Sequence, residues 1–103
     1  MTAIFDTPRP KIPPSITHLL YLHGFRSSPL STKASRLTLL FGQSYPDVHW
    51  WCPQLPPSPR AATNLILQGT AEWPKKTMAV IGSSLGGFYA TWLAHQYNCK
   101  AIL

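Results

Sequence analysis

Short apolar runs alternate along the chain with longer segments in which apolar residues recur at helical spacing. The runs cover residues 17–22, 48–52 and 78–81, and a fourth begins at Ala101. Each run is short and mostly apolar, as expected of a strand that is covered on both faces. The pattern therefore predicts four strands of a parallel sheet.

Three helices are predicted between these strands. Ser31 or Thr32 caps the first helix and Gly42 is placed to end it. A proline-rich irregular connection then precedes a second helix, which begins at Ala61 and closes near Gly69. The third helix carries one apolar stripe formed by Leu85, Phe88, Tyr89, Trp92, Leu93 and Tyr97.

The order β-α-β-α-β-α-β predicts an α/β fold with a parallel sheet, right-handed crossovers and a three-layer sandwich. Residues 1–15 form a Pro-rich tail outside this domain, and residues 16–103 form the domain itself. The chain ends inside its fourth apolar run, with no turn or cap. We therefore expect a domain that is truncated after its third helix.

Charge and composition exclude several classes of partner. Nine Lys and Arg against three acids give a net charge of +6, but the basic residues are spread along the chain and form no stripe, so no nucleic-acid partner is predicted. No segment has the length of a membrane span, and residues 1–15 lack the apolar centre of a signal peptide, which predicts a cytoplasmic protein without membrane contact. Cys52 and Cys99 are then expected to be free thiols.

A G-x-S-x-G motif follows the third predicted strand and precedes the third helix. In the run from Gly82 to Gly86, the two glycines allow strand and helix to approach closely, and the hydroxyl of Ser84 is exposed above the sheet. This nucleophile elbow predicts an α/β-hydrolase-type sheet with Ser84 as the catalytic nucleophile.

The loop after the first strand supplies the expected partner of this elbow. In such enzymes one oxyanion donor is the N–H after the nucleophile, here Leu85, and the other lies after the first strand, here Phe25. His23 and Gly24 support that loop. If the first and third strands are neighbours, with the second outside the first, both loops meet at a topological switch point where ligands bind.

Other interpretations of these residues are weaker. Ser84 could only cap a helix, whereas a phosphate-binding loop lacks the required glycine spacing. His18, His49 and His95 are expected to be structural, and a metal site combining His49, Cys52, His95 and Cys99 would draw on opposite ends of the sheet. No metal and no cofactor are therefore predicted. The remaining aromatics are expected in the core or in the wall of an acyl pocket, namely Trp50, Trp51, Trp73, Trp92, Phe88 and Tyr89.

Several sequence blocks resemble the YqiA-like esterases, small bacterial α/β-hydrolases. The blocks are Leu20-Tyr-Leu-His-Gly-Phe25, Ser27-Ser-Pro-Leu-Ser-Thr-Lys-Ala34, Pro53-Gln-Leu-Pro-Pro57, Gly82-Ser-Ser-Leu-Gly-Gly87 and Tyr89-Ala-Thr-Trp-Leu93. The resemblance implies hydrolysis of small short-chain acyl esters through an acyl-serine intermediate at Ser84. Arg26 stands where relatives often carry a smaller polar residue.

The resemblance also places the catalytic acid and histidine after the nucleophile. After Ser84 the chain contains one histidine, His95, and no Asp or Glu. The resemblance thus covers an N-terminal portion of the family's domain, and we expect this chain alone to be nearly inactive. A rival hypothesis is a non-catalytic or degenerate relative that serves as a binding or scaffold module.

Overall fold

A computed structural model describes residues 16–24 and 31–103. The Pro-rich tail predicted at residues 1–15 lies outside the described residues. The elements are β1 (His18–Leu22), α1 (Thr32–Ser44), β2 (His49–Trp51), α2 (Pro59–Gly69), β3 (Met78–Gly82), α3 (Leu85–Tyr97) and β4 (Lys100–Ile102).

The strands form one parallel sheet in the order β2-β1-β3-β4. β1 pairs with β3 along its whole length, from His18 opposite Met78 to Leu22 opposite Gly82. The arrangement on which the expected switch point depends is present, since the first and third strands are neighbours and the second lies outside the first. The carboxyl ends of β1 and β3 therefore lie side by side.

Helices cover both faces of this sheet. On one face Leu20, Leu22 and Val80 pack with buried residues of α2 and α3. On the other face Leu19 and Ala79 pack with Phe41 of α1. Alternate residues of each strand thus enter opposite cores, as the period of a strand requires. The predicted three-layer α/β sandwich is confirmed.

Two predicted helix boundaries are wrong. α1 continues past Gly42 to Ser44, and the Tyr45 N–H donates to the Phe41 carbonyl beyond it. An exposed glycine costs a helix about 1 kcal/mol and does not by itself end it. α2 begins at Pro59 rather than Ala61, because proline fits the first helical position, where no amide donor is needed.

The predicted apolar stripe of α3 is wrong in part. Gly86, Tyr89, Ala90 and Leu93 are the buried residues, whereas Leu85 and Phe88 are 40% and 67% exposed. The small residues at two of these positions let the helix lie directly against β1 and β3, and this contact sets which face is buried. Phe88 is therefore not a core residue.

Within residues 16–24 and 31–103, no helix is both long and apolar enough to span a membrane.

Candidate active site

Ser84 occupies the turn between β3 and α3. Its backbone has φ 54° and ψ −124°, a conformation that residues other than glycine rarely adopt. Although Ser84 is the N-cap residue of α3, its side chain makes no capping hydrogen bond. Ser84 is an exposed residue. A serine that served only as a cap would adopt an extended conformation and bond to the helix, so this geometry speaks against that interpretation.

Two glycines hold this turn between strand and helix. A Cβ at Gly86 would collide with the carbonyl groups of Leu22 and His23 in the chain that leaves β1. A Cβ at Gly82 would collide with the Gly86 carbonyl and lie 2.8 Å from the Cβ of Ala90. The elbow therefore requires close approach of backbone to backbone at both positions.

The chain that leaves β1 lies directly against the elbow. The Ser83 N–H donates to the Leu22 carbonyl over 3.3 Å. A Cβ at Gly24 would lie 2.9 Å from the Cβ of Ser84 and 3.4 Å from its Oγ. The structure thus brings His23, Gly24 and Ser84 together. Phe25, the predicted second oxyanion donor, lies outside the described residues.

His23 links this loop to the segment after β2. Its ring is buried, its Nε2 accepts the Leu55 N–H over 2.9 Å, and its Nδ1 lies 2.9 Å from the Gly24 carbonyl oxygen. Because Nε2 accepts, the neutral ring carries its proton on Nδ1 and donates it to Gly24. Both ring nitrogens are occupied, so His23 positions the loop and is not available as a base for Ser84.

The amides at the start of α3 are only partly used. The Gly86 N–H donates to the Ser83 carbonyl and the Gly87 N–H to the Ser84 carbonyl, each over 2.9 Å. The Leu85 N–H is at the first helical position, which has no partner within a helix. It also has no hydrogen-bond acceptor elsewhere in the described part of the chain.

A cavity of about 510 Å³ opens beside Ser84. Its lining combines the elbow with residues from the ends of β1 and β3 and from one face of α1. Tyr21 reaches it from β1, with its hydroxyl 3.3 Å from Ser83 Oγ. The lining residues are Tyr21, Lys33, Leu37, Ile81, Gly82, Ser83, Ser84, Gly87 and Leu103. Sequence reasoning missed Tyr21 and Lys33; the i, i+4 spacing of Lys33 and Leu37 on α1 was the available signal.

The other histidines lie away from this cavity. His18 and His49 stack at 5.2 Å and pack on Trp73 at the opposite, amino ends of β1 and β2. His95 lies eleven residues after Ser84 within α3, about 16 Å farther along the helix axis. No imidazole in the described part of the chain is therefore placed to take a proton from Ser84.

The described residues contain neither a reactive thiol nor a cluster of metal ligands. Cys52 and Cys99 are free thiols, as predicted. Burial raises the pKa of Cys52 to about 11 and also raises that of Cys99, which leaves both thiols protonated near neutral pH and poorly nucleophilic. Residues 16–24 and 31–103 contain no cluster of three or more His, Cys, Asp or Glu that could hold a metal ion.

Residues 18–103 match the model of the uncharacterised protein family UPF0227. The chain belongs to this family. UPF0227 is also known as the family of YqiA-like esterases, so the resemblance expected from the sequence blocks is confirmed. Membership of UPF0227 covers every element from β1 to β4, and thus both loops that meet at Ser84.

Proposed function

We propose that this UPF0227 protein is a serine hydrolase of small carboxylic esters, with Ser84 as its nucleophile. The observation that carries the proposal is the backbone of Ser84, which has positive φ and places an exposed residue, whose hydroxyl makes no capping hydrogen bond, beside a cavity. Strained backbone at a cavity is typical of catalytic residues. Nothing in the packing of α3 otherwise requires a serine in that conformation.

In this reaction Ser84 Oγ bonds to the ester carbonyl carbon, and its proton passes to a general base. The carbonyl oxygen becomes an oxyanion, which the Leu85 N–H and a second amide, proposed at Phe25, would stabilise. Expulsion of the alcohol, protonated by the same base, leaves an acyl-serine. Water then attacks that ester, and Ser84 regains its proton as the carboxylic acid leaves.

His23 has a positioning role in this proposal. Its Nδ1–H holds the Gly24 carbonyl, and the next N–H belongs to the same planar peptide group. A hydrogen bond that orients the Gly24 carbonyl therefore also orients the N–H of Phe25, the proposed second oxyanion donor. Leu55 holds the other side of the imidazole, which connects the loop to the segment after β2.

The described residues supply a nucleophile and one oxyanion donor but no base. Without a base, Ser84 remains a weakly nucleophilic alcohol. We therefore expect only slow hydrolysis from the groups that residues 16–24 and 31–103 supply. Full turnover should depend on an imidazole from elsewhere in the protein.

The test uses the gene product that contains this sequence, with 4-nitrophenyl butyrate as substrate and a fluorophosphonate as covalent probe. Ser84→Ala should lower turnover by more than about 10³-fold and abolish labelling. Ser35→Ala, an exposed serine on α1, is the matched control and should retain both. Peptide mass spectrometry of Ser83→Ala should still place the label on residue 84. Labelling that persists in Ser84→Ala would refute the nucleophile.

A non-catalytic binding protein is the second candidate, and the lack of an imidazole near Ser84 in the described residues favours it. The same experiment separates the two. A binding protein would show no Ser84-dependent turnover and no labelling in the intact gene product, although its cavity would still bind ester-like ligands.

A further inference from the structure

The cavity beside Ser84 has one charged side chain among its described lining residues, Lys33. Lys33 is exposed and makes no hydrogen bond or ion pair with any described residue. Its ammonium group therefore has no direct partner in the part of the protein that the structure describes. An unpaired cation in the same cavity as a nucleophile can contribute to the choice of substrate.

Acidic side chains are distant from this end of the sheet. Among the described residues the acids are Asp47 and Glu72. Asp47 precedes β2, and Glu72 is next to Trp73, which packs on His18 at the start of β1. Both carboxylates thus belong to the amino ends of the strands, whereas Ser84 and Lys33 belong to the carboxyl ends.

The wall of the cavity changes from apolar to cationic along α1. Leu37 and Lys33 are four residues apart on this helix, so they lie on one face, with Lys33 in the first turn. Leu37 and Ile81 of β3 both pack against the buried cluster that contains Leu19 and Phe41, and both line the cavity. A substrate that follows this wall would meet apolar surface first and a positive charge after it.

We propose that Lys33 selects esters whose acyl chain ends in an anionic group, such as monoesters of short dicarboxylic acids. This inference rests on the proposed function of Ser84. The ester carbonyl lies at Ser84, a few methylene groups contact Leu37 and Ile81, and the terminal carboxylate pairs with the Lys33 ammonium. A cavity of about 510 Å³ is within the range that small ligands occupy.

The experiment compares two 4-nitrophenyl esters of adipic acid, one with a free terminal carboxylate and one with that carboxylate methylated. Rates are taken as the difference from Ser84→Ala, which removes spontaneous hydrolysis. The selectivity is the ratio of kcat/KM for the anionic ester to that for the neutral ester. In the gene product that contains this sequence, Lys33→Gln should lower this ratio about fivefold, the size expected of an exposed ion pair.

Two variants serve as controls. Lys33→Arg keeps the charge and should keep the ratio. Lys76→Gln removes an exposed lysine before β3, at the amino end of the sheet, and should leave the ratio at the wild-type value. The wild-type ratio should also fall as salt is raised, because exposed charges are screened.

The two proposals fail in different ways. If Ser84→Ala hydrolyses both esters as fast as the wild type, the proposed function is wrong. If hydrolysis depends on Ser84 but Lys33→Gln and Lys76→Gln give the same ratio, the assignment of Lys33 is overturned. Circular dichroism of each variant distinguishes either result from misfolding, and a misfolded Lys33→Gln is replaced by Lys33→Met, for which the same fivefold fall is expected.

Discussion

The surroundings of Ser84 are defined by residues that have no side chain. Gly24 leaves room for the Ser84 side chain, since a Cβ there would lie 2.9 Å from the Cβ of Ser84. Gly42, in contrast, has no atom within 4 Å of its Cβ position. The two glycines therefore form a matched pair, one at the candidate site and one on the exposed face of α1.

Gly24→Ala should slow fluorophosphonate labelling of Ser84 by about tenfold or more, because small displacements of a nucleophile cost large factors in rate. Gly42→Ala should leave labelling unchanged and raise the free energy of unfolding by up to about 1 kcal/mol, since alanine is the better helix former. Labelling rates and urea denaturation measure the two effects. Equal labelling of Gly24→Ala and wild type would contradict the close approach of the β1 loop to the elbow.

At the level of elements, the amino ends of β1 and β2 carry a pair of stacked imidazoles. Burial, and secondly the neighbouring His49, lower the pKa of His18 below its ordinary value of 6.5. The unfolded chain therefore binds a proton at higher pH than the folded one. The stability from this site is complete above about pH 6.5 and is lost as the pH falls from there through the lowered folded pKa.

His18→Gln should accordingly flatten the decline of the unfolding free energy as the pH falls below about 6.5. His49→Gln should flatten it less, because burial of His18 remains the larger cause of the shift. His95→Gln, which removes an exposed imidazole of α3 outside this pair, is the matched control. Urea titrations across this pH range provide the measurement, and a slope unchanged in His18→Gln would show that these imidazoles do not account for it.

Elements whose signals are local were predictable from the sequence. β1 and β3 follow from short apolar runs, and the start of α3 follows from the glycines of the elbow. The buried face of α3 was not predictable from hydrophobicity, because Phe88 is more apolar than Gly86 yet is the exposed one. Its orientation depends on the contact of Gly86 with the Leu22 carbonyl, which joins residues distant in sequence.

For the whole molecule, the part of the site that could be predicted from the sequence is the part that follows from the order of the strands in the sheet. The expected order of strands places the β1 loop beside Ser84, and the structure has this order. The part played by Phe25 stays a prediction. Lys33 was missed because its i, i+4 spacing with Leu37 shows only that the two residues share a face of α1, whereas its place at the cavity depends on how α1 lies on the sheet.

The sheet also ends in an exposed strand. β4 pairs with β3 on one side, all three of its residues are exposed, and its other edge has no partner strand within the described residues. Ile102 is 45% exposed there. An apolar open edge promotes pairing between copies of a chain.

Ile102→Lys should therefore lower concentration-dependent association of this 103-residue chain, measured by sedimentation velocity. Leu39→Lys is the matched control: Leu39 is 62% exposed on α1, away from the edge, and its replacement should not change association. If both lysine variants lower association equally, general hydrophobicity rather than the edge of β4 is responsible. If Ile102→Lys leaves association unchanged, the edge of β4 has no part in it.

The close contacts at Gly82 and Gly86 have a consequence for how this protein can vary. The elbow is held by close approach of backbone to backbone at these two glycines, so its shape depends more on the absence of side chains there than on the side chains at residues 83 and 85. Ser83 is half-buried and Leu85 exposed, and both lie beside Ser84, the proposed nucleophile. Mutational libraries should thus tolerate many residues at these two positions and almost none at the glycines, so that the surroundings of Ser84 can diverge while the backbone of the turn stays the same.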